Sequence, residues 1–294
     1  MVESLILVAV FQISMKVSIK TSLEEALLKQ KTRFLLNAEQ LLHHDDPEII
    51  HQLRLSLKTI RSIMGFLGFV SPSHDFNKRH LASLDRTFEL SGILRDQQVQ
   101  LQNLHHLQAG FNKNFKHLEK HLITGVDESK KILRARIDKK GNNYLDKLFN
   151  DFFGFLYSRT EQEIAAAYQD HLNETFAKLH STFIKQPVSL KFLHSLRKQL
   201  KDYINILALI HIGDPLQTEE AIAELKHLDQ ELGKWHDLLN TQKSIRSFLK
   251  NHKNLLLRKD EYKHLQVFIM EEINLSRQSI EDLIALQTQA NQAS

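Results

Sequence analysis

Residues 47–70 read PEIIHQLRLSLKTIRSIMGFLGFV. Ile50, Leu53, Leu57, Ile60, Met64 and Leu67 recur in steps of three and four, the pattern of one apolar face of an α-helix. His51, Arg54, Lys58 and Arg61 take the same steps one residue later, which sets a cationic line about 100° round that helix. Such a line borders the apolar seam rather than open water. Asp46 before Pro47 predicts the start, with an N-cap acceptor followed by a proline at the first helical position, where no N–H is required.

The device occurs twice. Residues 187–210 read PVSLKFLHSLRKQLKDYINILALI, with Leu193, Leu196, Leu200, Tyr203, Leu207 and Ile210 as the seam. Lys191, His194, Arg197 and Lys201 form the second cationic line, and Lys198 stands beside it. His51-Gln-Leu-Arg54 and His194-Ser-Leu-Arg197 lie 143 residues apart. Downstream, LSGILRDQQVQLQNL (90–104) is echoed by ELGKWHDLLNTQKSI (231–245), with Asp96 and Asp237 offset by 141. Two paired motifs at nearly one offset imply a duplicated unit.

A chain of 294 residues with only 9 Gly and 4 Pro has little material for strands and tight turns, so an all-α protein is expected. The lack of cysteine excludes disulfides and thiolate metal sites. A net charge of +4 permits a polyanionic partner without demanding one, so any function through charge must come from local concentration. No run reaches the roughly 20 apolar residues of a membrane-spanning helix. LILVAVF (5–11) lacks the basic flank and cleavage site of a signal peptide, so 1–19 is expected to be a leader and the protein cytoplasmic, with no membrane partner.

The chain predicts a first half over 20–141 and a second over 142–290, about four helices in each, with short connections that favour antiparallel neighbours. A helix over 22–42 should open on the capping box at Ser22 and Glu25. Gly68 and Pro72 should break the second helix, and Gly125 should divide 111–123 from 126–139. KKGNN (139–143) marks the boundary between halves, the aromatic segment 143–158 should pack across the junction, and GDP (213–215) should turn the chain.

Cations on a helix are ordinarily a solvated face whose stems cover apolar surface. That account must here explain the same His-x-x-Arg-x-x-x-Lys spacing twice, each time on a helix apolar enough to sit centrally. Like charges there repel and lose hydration unless an anion or carboxylates compensate, and Asp96, Asp237 and Glu48 are candidates for part of that role. Arg54, Lys58 and Arg61 rise in steps of about 4.5 to 6 Å, which suits a repeating polyanion better than one small phosphate. The histidines are either structural hydrogen-bonding groups or proton donors to phosphate oxygen. HHDD (43–46) reads as a helix end with an N-cap, and no metal set of diagnostic spacing is present. KKILRARIDKK (130–140) reads first as a solvated face. Neither a phosphate-binding glycine loop nor a nucleophile elbow occurs.

At HQLRLSLKTIR (51–61), LSGILRD (90–96), LHSLRKQLK (193–201) and ELGKWHDL (231–238) the sequence resembles the CHAD family, the conserved histidine α-helical domain. Gly92 with Asp96, and Gly233 with Asp237, fill the L-G-x-x-x-D-like positions, and the resemblance spans about 20–290. It implies two antiparallel four-helix bundles related by a pseudo-twofold axis, with a basic central groove that binds inorganic polyphosphate. It implies a binding module rather than an enzyme, with no cofactor. The polyphosphate-binding residues expected are His51, Arg54, Lys58, Arg61, Lys191, His194, Arg197, Lys198 and Lys201. The family's basic runs are denser: Thr59 occupies one such place in the first copy, and Asp202 and Ile204 two in the second. Rival readings are a helical scaffold for an acidic protein partner, nucleic acid as the polyanion, and a metal-dependent phosphohydrolase built on the His and Asp clusters.

Overall fold

A computed structural model describes residues 18–71, 78–111, 114–140, 143–183, 189–208, 215–252 and 259–292. All regular structure in these residues is helical: α1 (Ile19–His43), α2 (Pro47–Val70), α3 (Lys78–Phe111), α4 (Lys116–Lys140), α5 (Asn143–Tyr157), α6 (Glu161–Phe183), α7 (Leu190–Leu207), α8 (Pro215–Asn251) and α9 (Lys259–Gln292). The expected leader, apart from its last two residues, Ile210 of the second seam, and most of the GDP turn lie outside the described residues.

Helix starts follow local chemistry. The Asp46 carboxylate accepts from the Glu48 N–H at 2.8 Å, with Pro47 as first helical residue, as expected. The first helix begins earlier than its sequence suggests. Ser18, not Ser22, is its N-cap, accepting from the Thr21 N–H at 3.1 Å, and Ser22 is buried within the helix. The Glu161 carboxylate, from the start of α6, accepts from the Ile19 N–H at 2.7 Å and from the Ser18 hydroxyl at 2.6 Å. This remote acceptor satisfies the first amides and moves the start forward by a turn. A true capping box forms instead at Thr160 and Glu163, whose side chains and amides bond reciprocally at 2.8 and 3.2 Å.

The break expected at Gly125 does not form, while the one expected at Gly68 and Pro72 comes two residues after Gly68, with Pro72 itself outside the described residues. α2 runs through Gly68 to Val70, and α4 runs through Gly125 to Lys140. A single interior glycine costs a helix only about 1 kcal/mol, which packing outweighs. At Gly125 a Cβ would stand 3.0 Å from the Gln97 amide nitrogen, so its small size lets α4 approach α3 closely.

Leu53, Leu57, Ile60, Ile63, Phe66 and Leu67 are fully buried, and α2 packs against α1, α3, α6 and α7. It is the central element that its apolar seam predicts. Within each half, successive helices pack together: α1 on α2, α2 on α3, α3 on α4, then α6 on α7, α7 on α8, α8 on α9. Between halves, α2 meets α7 and α3 meets α8, so each motif-bearing helix lies beside its counterpart. The aromatic helix α5 rests on α1 and α3 of the first half. No described helix is long and apolar enough to cross a membrane.

Candidate functional site

The α2–α7 contact brings the two cationic lines face to face. Arg54 and Lys58 stand half-buried beside the fully buried Leu53 and Leu57, and Arg197 and Lys201 stand likewise beside Leu196 and Leu200. Lys58 lies close enough to Arg197 and Arg54 that both, after burial itself, lower its affinity for a proton. Lys201 is pushed down to about 8, by burial first and then by Arg197 and Lys58, against the opposing pull of Asp229 and Asp237. Four cations from two halves therefore share one strip along the α2–α7 contact.

The carboxylates that make this tolerable come from α3 and α8. Asp229 lies 3.9 Å from the Lys201 ammonium and also bears on Lys58. Asp96 stands among Arg54, Asp237, His236 and Arg197. Solvent reaches Asp96, yet burial raises its pKa. That combination belongs to a carboxylate open to solvent on one side and flanked by protein on the others. Asp202, set where a basic residue was expected, faces Lys198 and Lys58, and burial raises its pKa too. Glu48 plays no such part, since its carboxylate accepts from Gln52 at 2.6 Å.

The two arginines at matching positions are held differently. Arg54 donates from Nη1 to the Phe88 carbonyl at 3.1 Å, and its guanidinium lies 4.6 Å from the Phe88 ring centroid. A Cβ on Gly92 would stand 2.6 Å from the same Nη1, so glycine there clears the guanidinium's bed on α3. Arg61 lies 4.2 Å from the same ring and pairs with Asp85 at 2.8 Å. In the second half a Cβ on Gly233 would meet nothing within 4 Å, and Arg197 Nε is buried with no hydrogen-bond partner among the described residues. Arg54 and Arg61 are thus anchored on α3, whereas Arg197 keeps a buried N–H that no described residue accepts.

His194 packs on the buried Trp235 at 5.0 Å between ring centroids and meets His236 edge-on at 5.6 Å. Burial, then His236, Lys243 and Arg197, lower its pKa. His51 is half-buried one turn ahead of Arg54, while Lys191 and Lys198 are exposed. The structure thus gathers Arg54, Lys58, Arg197 and Lys201, with His194 beside Arg197; it sets Arg61 to one side with Asp85. Asp85, Phe88, Asp229 and His236 complete the site without having been singled out as site residues from the sequence. His236 had a signal, as the counterpart of Arg95 in the second motif.

The basic run 130–140 is a structural clamp. Arg134 donates to the Leu41 and His44 carbonyls at 2.6 and 2.7 Å and to Asp45 at 2.9 Å, closing the C-terminal end of α1. Lys130 pairs with Asp45 at 3.0 Å, and Arg136 donates to the Ser83 hydroxyl at 2.7 Å. Among the described residues, no group of three or more His, Asp or Glu is placed to hold a metal ion.

The family model described as "CHAD domain" matches residues 25–246. Among solved structures, the chain is similar to the crystal structure of the CHAD domain from the plant Ricinus communis, at 13% identity and a TM-score of 0.67, covering 92% of this chain and 91% of that one. PptA from Streptomyces chartreusis is similar at 15% identity and a TM-score of 0.56, covering 90% of this chain and 98% of that one. No curated protein matches. Paired His-x-x-Arg helices in contact with one another, and a family match over most of the chain, lead to one assignment: the protein belongs to the CHAD family.

Proposed function

We propose that the protein binds inorganic polyphosphate along the strip between α2 and α7, as a binding module rather than a catalyst. The observation that carries this reading is the convergence of Arg54 and Lys58 with Arg197 and Lys201, in which burial first, and then the neighbouring cations, lower the proton affinity of the two lysines. Like charges held this way are costly in the empty protein, and a linear chain of phosphates relieves the repulsion at every step. Guanidinium groups grip two oxygens at once, while lysines act as point charges. Asp229, Asp96 and Asp202 keep the empty groove stable, and a ligand must compete with them. This moderates affinity and favours a ligand with many charges over orthophosphate.

The double variant Arg54→Ala/Arg197→Ala tests the assignment. It is expected to weaken polyphosphate binding at least tenfold, on the order of 1–2 kcal/mol per charge-assisted contact, and to flatten the dependence of affinity on salt. Calorimetry at two salt concentrations reads both quantities. Unchanged affinity would remove these residues from the site. Long incubation with polyphosphate should release no orthophosphate, and sustained release would replace the binding reading with a catalytic one.

A further inference from the structure

Aligned through Asp96 and Asp237, the two halves differ at the preceding position: Arg95 in the first, His236 in the second. Arg95 is permanently charged and lies close to Arg54. His236 occupies the matching place beside His194, their rings perpendicular with centroids 5.6 Å apart. The pair is well fixed. His194 rests on Trp235, which is fully buried, and the Asn240 amide lies 3.2 Å from His236 Nδ1. Asn240 can meet Nδ1 with either end of its amide, so the contact is kept in both the neutral and the protonated imidazole.

We propose, resting on the polyphosphate reading, that His194 and His236 form a proton-gated phosphate grip in the second half of the groove, where the first half uses the permanent charge of Arg95. The groups facing the pair are Arg197 from α7, Asp237 and Lys243 from α8, and Asp96 from α3. With the groove empty, the nearby cations and partial burial favour neutral His194. A phosphate between the imidazoles reverses that balance, because each added proton then faces an anion. Binding therefore takes up protons near neutrality, and the grip loosens as pH rises through the range where imidazole titrates. The groove gains a pH response that its arginines cannot give.

The test is calorimetric titration of long-chain polyphosphate into the full-length protein at pH 6, 7 and 8, in buffers of different ionisation enthalpy at low salt. Wild type is expected to take up about one proton near pH 7 and to lose roughly three- to tenfold in affinity from pH 6 to pH 8. His236→Arg, which copies Arg95, should hold its affinity across that range and bind fewer protons, and His194→Gln should also flatten the profile. Circular dichroism melts establish that both variants fold. Wild-type affinity that ignores pH, or the same proton uptake in wild type and both folded variants, would overturn the grip and leave the polyphosphate reading intact. Failure of wild type to bind polyphosphate even at pH 6 would overturn that reading and the grip with it.

Discussion

Gly92 and Gly233 hold equivalent places in the repeat and answer to different demands. Only at Gly92 does an arginine lie across the backbone, 2.6 Å from where a Cβ would be. Gly233→Ala should therefore raise stability by about 0.5–1 kcal/mol through helix propensity alone. Gly92→Ala gains the same propensity but must push Arg54 off the Phe88 carbonyl, a charged hydrogen bond of roughly 1.5–3 kcal/mol. Chemical denaturation should show the first variant stabilised and the second neutral or weakened, with polyphosphate affinity reduced only in the second. Equal stabilisation of both would mean that the Arg54 bed is unimportant. Lys201 permits a second prediction at this scale. Its pKa of about 8 in the folded protein lies below the 10.5 of a free lysine, so between those values the unfolded chain binds more protons. Stability should therefore rise with pH across that window, beyond any rise in Lys201→Met, when urea midpoints are compared at pH 7, 8.5 and 10. Parallel profiles for the two proteins would contradict the placement of Lys201. The His-x-x-Arg lines were legible in sequence because a helix fixes the angle between residues three and four apart. Asp229 and Phe88 were not, because their partners sit on other helices whose rotation no local rule specifies.

For the elements, α2 was read from its sequence to the residue, because acceptor, proline and seam all agreed there. α1 was started too late because the Glu161 carboxylate that completes its cap lies 142 positions from Ile19. Gly125 was misread as a break because glycine carries the same local signal whether it ends a helix or lets two helices approach. The basic run of α4 shows the converse limit. Its composition suggested a solvated face, while three of its cations are spent on α1 and α3. Arg134→Ala should accordingly cost about 1–3 kcal/mol, since it leaves two carbonyls at the end of α1 without a partner, whereas exposed Lys131→Ala should change stability by less than about 0.5 kcal/mol. Urea unfolding distinguishes them. Equal effects would return the run to the solvated surface.

Across the whole molecule, the repeat offset anticipated which helices correspond, and corresponding helices meet: α2 with α7, and α3 with α8. This arrangement doubles a modest local charge into a strip built from both halves, which a net charge of +4 by itself does not announce. It also explains why carboxylates of α3 and α8 accompany the cations, for without a ligand the strip must still fold. The sequence could name the cations but not their degree of neutralisation, which depends on how closely the halves approach. The measurement that bears most directly on the central claim is a titration of long-chain polyphosphate, orthophosphate and single-stranded RNA at two salt concentrations. The fluorescence of Trp235, buried beneath His194, reports on the groove, and calorimetry gives the affinity. Binding that strengthens with phosphate chain length, weakens with salt and exceeds that of RNA is the expected result. Absence of binding at low salt, or equal affinity for orthophosphate and the long chain, would contradict the polyphosphate groove.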